Sequence, residues 1–286
     1  MSIHNAEQTV NLALRSTLLA LPRNSELIVL LNACTDKTRA VIEAIKDKRL
    51  IMLSSDIALS PGDRLNRLLK LAEGKFVARM DADDVCLPWR FAYELAHLRQ
   101  NQSDLVFTNA VLFGSTSSKR ICTGQRPIAL NSEQISMALT FTNPLVHPTM
   151  LAKREVLLEL GGYRDVPADD LDLWLRAALA GYRIRRLRGY GIFYRIHSGQ
   201  LTQNPQWQLA HRNSEVISKL REKLKRKVNA EISSVERAST NLGLGERFVT
   251  SSIPVMIQFL GFKRLFHYLV TRKIISYPWE EWGNVR

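Results

Sequence analysis

From Glu26 to Leu31 the chain reads ELIVLL, one acid followed by five aliphatic residues in a row. A strand with one wet face would alternate, so this run needs cover on both faces, as in a parallel sheet between helices. It stops at a polar turn, Asn32-Ala-Cys-Thr-Asp36, where Thr35 or Asp36 suits the cap of a helix over Lys37 to Ile45. Upstream, Ala6 to Leu21 carries apolar residues at helical spacing and ends at Pro22. Downstream, a helix is expected over Gly62 to Ala72, a turn at Glu73-Gly74, and strands over Lys75 to Met80 and Asp104 to Phe113. Strands alternating with helices define an α/β domain with a mostly parallel sheet flanked by helices. Ligands of such sheets lie at the carboxyl ends of the strands, so Asn32 and Asp81 are expected on one edge.

Composition narrows the setting. With 286 residues the chain holds one large domain or one domain plus an appendage. Three widely spaced cysteines, Cys34, Cys86 and Cys122, form no metal-type pair and point to a reduced, cytoplasmic setting. No basic-then-apolar leader opens the sequence, and no apolar stretch reaches the roughly 18 residues that a membrane span needs. The net charge of +13 asks for an anionic partner, such as nucleotide phosphate, a lipid surface or nucleic acid. From Pro205 to Arg286 there are 14 lysines and arginines against 7 acids. A basic helix is expected over Trp207 to Arg237, then a polar link, Ser239 to Gly245, then an apolar-basic segment.

Against that basic background, Phe76 to Arg90 reads FVARMDADDVCLPWR and delivers Asp81, Asp83 and Asp84 to the end of a strand. Clustered carboxylates suit Mg²⁺ or Mn²⁺, which share their coordination with substrate phosphates. Alternatively Asp84 caps the helix entered at Leu87-Pro88. The D-x-D spacing alone leaves two enzyme classes open. Haloacid-dehalogenase-type phosphatases carry D-x-D-x-[TV], which Asp81 to Val85 fits, with Asp81 as nucleophile. Nucleotide-sugar glycosyltransferases of the GT-A fold carry D-x-D after a βαβαβ half, and an earlier strand and two helices precede it here.

Several stretches in order resemble family 2 glycosyltransferases over roughly residues 2 to 202. Ser2 to Glu7 is similar to that family's P-V-Y-N-A-E. Leu31 to Thr38 stands where it has D-D-G-S-T-D-x-T. Asn66 and Leu71-Ala-Glu-Gly74 match N-x-G…A-x-G, and Phe76 to Arg90 resembles Y-I-A-R-M-D-A-D-D…P-x-R. Asn143 to Thr149, Gly161-Gly-Tyr163, Ala168 to Arg176 and Tyr194-Arg-Ile-His197 follow. The resemblance implies a Rossmann-like GT-A domain over 1–202 with a basic helical extension over 203–286.

It also implies a metal-dependent, hexosyltransferase-type transfer from a nucleotide-diphospho-sugar to a hydroxyl, with inversion. Asp83, Asp81 and His197 would hold Mn²⁺ or Mg²⁺. Asn5, Glu7, Asn32, Asp36, Asn66, Asp81 and Arg195 would bind the nucleotide-sugar. Asp170 would be the general base, with Asp169 beside it where the family usually has Glu. Asp36, Asp169 and Asp170 also read as helix caps, and Asp172 with Arg176 as an ordinary helix pair. His147 would shape the acceptor pocket. Arg-Trp never occurs, so the processive signature Q-x-x-R-W is missing and single-sugar addition is expected.

The acceptor would be a glycan or a lipid-linked glycan of a bacterial-type surface polysaccharide, with no nucleic acid expected. Peripheral contact with the inner face of the membrane would run through residues 253–275. Only Met1 to Ile3 stand where the family has a complete first strand, which puts donor binding and stability at risk. Beside the phosphatase, a catalytically impaired basic binding module is the remaining alternative.

Overall fold

The computed structural model describes residues 1–100, 103–115, 120–124, 127–200 and 204–240. In chain order its elements begin β1 (Ser2–Ile3), α1 (Val10–Ala20), β2 (Leu27–Asn32), α2 (Thr38–Glu43), β3 (Leu50–Ser55), α3 (Pro61–Leu71), β4 (Phe76–Ala78) and β5 (Val85–Cys86). They continue α4 (Arg90–Gln100), β6 (Leu105–Ser115), β7 (Arg120–Gly124), α5 (Ser132–Leu139), β8 (Leu151–Lys153), α6 (Arg154–Glu159), α7 (Asp169–Leu179), β9 (Ile184–Ile196), α8 (Pro205–Arg212) and α9 (Glu215–Thr240).

All six residues of β2 are buried, as the apolar run requires. It lies between β1 and β3 in a three-stranded parallel sheet, with Ile3 opposite Leu31 and Asn32 opposite Ser55. Val10, Leu14 and Leu18 of α1 cover it. A second sheet has the order β4-β8-β6-β9-β5, with β7 on β6. Only β6 and β9 pair in parallel there; the β4–β8, β6–β8, β5–β9 and β6–β7 pairings are antiparallel. The α/β, GT-A-like character stands, but parallel pairing is the rule only in the first sheet. Strand–helix alternation is interrupted twice, at β4–β5 and at β6–β7, where one strand follows another without a helix between them.

That division changes one expectation. Asn32 ends β2 in the first sheet, whereas Asp81 lies beyond β4 of the second, so the two do not share one sheet edge.

The main core gathers Leu105, Phe107, Ile135, Leu139, Leu171 and Trp174. Phe107 meets Trp174 edge to face at 4.8 Å. Ile217, Leu224 and Val228 of α9 enter this same cluster, so the described part of the extension braces the domain. The long basic helix is two helices, because Ser214 starts a new one: its Oγ accepts from the Ile217 N–H at 3.4 Å. Residues 253–275 lie outside the described residues.

Candidate active site

The three aspartates sit on an irregular turn between β4 and β5, where their ligand oxygens lie within 4.8 Å of one another. The turn is held from below. Arg90, fully buried at the start of α4, donates from Nη2 to the Arg79 carbonyl at 2.9 Å and to that of Met150 at 3.3 Å. Its Nε bonds Glu94, equally buried, at 3.1 Å, and the Thr108 hydroxyl donates to Glu94 at 3.3 Å. An arginine fork thus fixes the backbone immediately before Asp81.

Each carboxylate then has its own setting. Asp81 pairs with Arg79 at 2.5 Å. Asp83 receives His197 Nε2 at 3.0 Å, and its carbonyl accepts from Arg195 Nε at 2.7 Å. Asp84 is buried; Oδ1 accepts the Arg195 N–H at 2.8 Å and Oδ2 has no hydrogen-bond partner among the described residues. It does not cap α4, since its side chain binds a residue 111 positions away on β9. Arg195 also stacks on Phe113 at 4.5 Å. Burial first, then repulsion from Asp81 and Asp83, pushes Asp84 well above the usual carboxylate range. Burial and Asp81 raise Asp83, against the pull of the His197 hydrogen bond.

The loops after β1 and β2 are clamped together. Asn5 Oδ1 accepts the Thr35 N–H at 2.8 Å. Glu7 Oε2 accepts the Lys37 N–H at 2.9 Å, and the Glu7 N–H donates to Asp36 at 3.0 Å. Asp36 also accepts the Thr38 N–H at 3.0 Å at the start of α2. Asn32 spends its amide on Leu59, accepting its N–H at 2.8 Å and donating to its carbonyl at 3.3 Å. Asn66 spends both ends of its amide on the Tyr163 backbone, each at 2.8 Å. These residues, expected to touch the nucleotide, here hold the loops together. Asn5 and Ala33, at φ 45° and 49°, are strained non-glycine positions in the same two loops.

A third strained residue, Ala168 at φ 60°, turns the chain into α7 and makes Asp169 and Asp170 its first two residues. Neither is the N-cap, which is Ala168, but negative charge in a first turn is favoured. Asn143 donates to Asp170 Oδ2 at 3.0 Å. Burial of the carboxyl, then repulsion from Asp169, pushes Asp170 up to about 7. Burial also raises Asp169, opposed by its own backbone bonds and by Arg79 and Arg64. Asp172 and Arg176 do pair, at 2.7 Å, but as a buried couple whose guanidinium also takes the carbonyls of Leu160 and Gly162. His147 bonds the Tyr163 hydroxyl at 2.9 Å, and burial lowers it to about 3, so its ring is neutral at pH 7.

Tyr194 feels both carboxylate groups. Burial, then Asp84, Asp81, Asp83 and Asp170 in turn, raise its phenol well above the usual value, so it is neutral at pH 7. Asn143, Tyr194, Arg79 and Arg64 had no role from the sequence; only the last lacked any motif context there.

The aspartate turn fits a divalent cation. It offers hard oxygen donors on one centre, and the unpartnered Asp84 Oδ2 is the kind of buried atom that a ligand would satisfy. Asp84 therefore joins Asp81 and Asp83 in the candidate set, while His197 stands behind Asp83.

The βαβ start, the carboxylate turn and the acid pair at a helix entry define a GT-A-type fold. Residues 1–161 match the family described as Glycosyl transferase family 2, more than half of the chain, and the protein belongs to that family. It is 27% identical over 174 residues to the uncharacterized glycosyltransferase MJ1057 of Methanocaldococcus jannaschii, covering 59% of each chain. It is 22% identical over 211 residues to the Escherichia coli UDP-Glc:alpha-D-GlcNAc-diphosphoundecaprenol beta-1,3-glucosyltransferase WfaP, covering 71% of this chain and 78% of that one. Staphylococcus aureus TarS 1–349, solved in complex with UDP-GlcNAc, superposes with a TM-score of 0.61 at 18% identity, over 86% of this chain and 76% of that one. At that identity the likeness shows the fold alone.

Proposed function

We propose that this chain is an inverting glycosyltransferase that moves one sugar from a nucleotide-diphospho-sugar to a hydroxyl of a glycan or lipid-linked acceptor in cell-surface polysaccharide synthesis. The observation that carries the reading is Asp170: a carboxyl raised to about 7, held by Asn143, in the cleft that also holds the aspartate turn. WfaP is named for a UDP-sugar donor and a diphosphate-linked lipid acceptor, which supports both substrate classes.

Asp81, Asp83 and Asp84 would hold Mn²⁺ or Mg²⁺, with His197 orienting Asp83. When bound, such a cation neutralises charge on the leaving diphosphate. Asp170 accepts the proton of the acceptor hydroxyl as that oxygen bonds the anomeric carbon from the face opposite the breaking carbon–oxygen bond to phosphate. Asp169, which feels Arg64 and Arg79, lies beside Asp170 and raises it by charge repulsion. Asn5, Glu7, Asn32, Asp36 and Asn66 wall the nucleotide site through the loops that they clamp, and Arg195 braces the turn. Residues 1–202 carry the chemistry. Segment 253–275 contacts anionic lipid at the inner membrane face, and liposome flotation unaffected by removing it would refute that contact.

The deciding experiment screens nucleotide sugars with Mn²⁺ for transfer, hydrolysis and thermal stabilisation. Stabilisation by one donor, lost in Asp83→Asn, is expected. An aspartyl-phosphate trapped at Asp81, with no nucleotide-sugar response, would overturn the reading in favour of a phosphatase.

A further inference from the structure

Arg64 lies in the first turn of α3, half-buried; its N–H donates to the Ser60 carbonyl at 3.1 Å, but its guanidinium has no hydrogen bond or ion pair to any described residue. Its surroundings are charged. Arg79, Asp169 and Asp81 all act on it, and Asp169 feels both arginines in return. Arg79 is already committed to Asp81. Arg64 is therefore a second guanidinium under the influence of Asp81 of the aspartate turn and Asp169 of the acid pair, with no carboxylate of a described residue in contact. A half-buried charge left this way costs free energy in the empty protein.

The surrounding backbone prevents it from relaxing that cost by moving the helix. Ser60 Oγ caps α3 by accepting the Asp63 N–H at 3.2 Å. A Cβ on Gly62 would come within 3.2 Å of the Arg164 and Asp165 backbone, so the helix start is pressed against that segment. Asn66, half a turn on, is bonded twice to Tyr163. A planar fork held open in this way matches a phosphate group.

We infer that Arg64 is a further binding residue of the proposed site, where it grips a phosphate of a diphosphate-bearing substrate on the side of the cleft nearer Asp169. The inference rests on the proposed transferase reading. The diphosphate belongs either to the nucleotide-sugar donor or to a lipid-linked acceptor, and the two are separable by experiment.

The test uses the full chain with Mn²⁺, as wild type, Arg64→Gln and Arg64→Lys. The first arm titrates UDP, GDP, CDP, dTDP and inorganic pyrophosphate by calorimetry. The second titrates farnesyl diphosphate into protein saturated with whichever nucleotide binds. Arg64→Gln should weaken one arm about 10- to 100-fold, the scale of a charge-assisted hydrogen bond. Arg64→Lys should recover part of that loss. Loss in the first arm assigns Arg64 to the donor, and loss confined to the second assigns it to the acceptor. The melting temperature of ligand-free Arg64→Gln should equal or exceed that of wild type, since no side-chain hydrogen bond or ion pair is removed and a half-buried charge is. A lower melting temperature with both affinities intact makes Arg64 structural and overturns the inference, as does any variant that binds in both arms like wild type. If wild type binds no nucleoside diphosphate, the transferase reading falls and this inference falls with it.

Discussion

At the scale of single residues, chemistry depends on which carboxylates are dry. The string at 81–84 marked a candidate cation site, but its internal division came from packing: Asp84 is the buried member, and β9 lays the Arg195 N–H against it. Asp170 yields the sharpest expectation. Asp170→Asn should lower kcat about 100- to 10,000-fold while leaving donor binding intact, which steady-state kinetics and calorimetry separate. In wild type kcat should rise with pH through about 7, where Asp170 loses its proton. Stability should move the other way. A carboxyl raised in the folded state keeps a proton that the unfolded chain has released, so stability falls as pH rises from the ordinary carboxylate range to about 7. Asp170→Asn should therefore gain more in melting temperature at pH 8 than at pH 5, and equal gains would refute the assignment.

At the scale of elements, the site depends on how loops and helix starts are pinned. Gly162 sits at φ 68°, and a Cβ there would meet Asn66 Oδ1 at 2.2 Å. Gly162→Ala should cost about 1–3 kcal/mol in denaturant unfolding, from backbone strain plus a displaced Asn66 amide. It should also lower kcat, because the same segment leads to Asp169 and Asp170. Arg90 and Glu94 form the other pin. Breaking that buried pair with Glu94→Ala should cost about 3–5 kcal/mol, since an uncompensated guanidinium remains. The sequence showed α1, α2, α3 and β2 through their periodicity and stops. It did not show β3, none of whose six residues is fully buried and whose apolar run ends in two serines. Nor did it show β9: Ile184–Ile196 carries four arginines and two glycines, so its burial comes from neighbours rather than from its own pattern.

At the scale of the whole molecule, the described part of the basic extension and the transferase domain share one core. Leu224 is almost fully buried against it. Leu224→Ala should cost about 2–5 kcal/mol, and a chain ending at residue 202 should melt well below the full chain, because α9 leaves an apolar face of α7 and α5 uncovered. Both are read by thermal unfolding. If the shortened chain melts like the full one, α9 is an independent appendage.

Some properties follow from order along the chain alone. The α/β class, the parallel start, the aspartates delivered past a strand and the acids opening a later helix are local patterns, fixed by side-chain periodicity and turn chemistry. The tertiary structure decided everything that depends on distance. It made Asn32 and Asn66 clamps, because the Leu59 and Tyr163 backbones reach them first. It buried Asp84, raised Asp170 by drying it beside Asp169, and left the Arg64 guanidinium with no ion pair among the described residues. Desolvation and Coulomb energy depend on what surrounds a group in space, and Arg64 comes under the influence of Asp81 and Asp169 only when α3, the aspartate turn and α7 pack together.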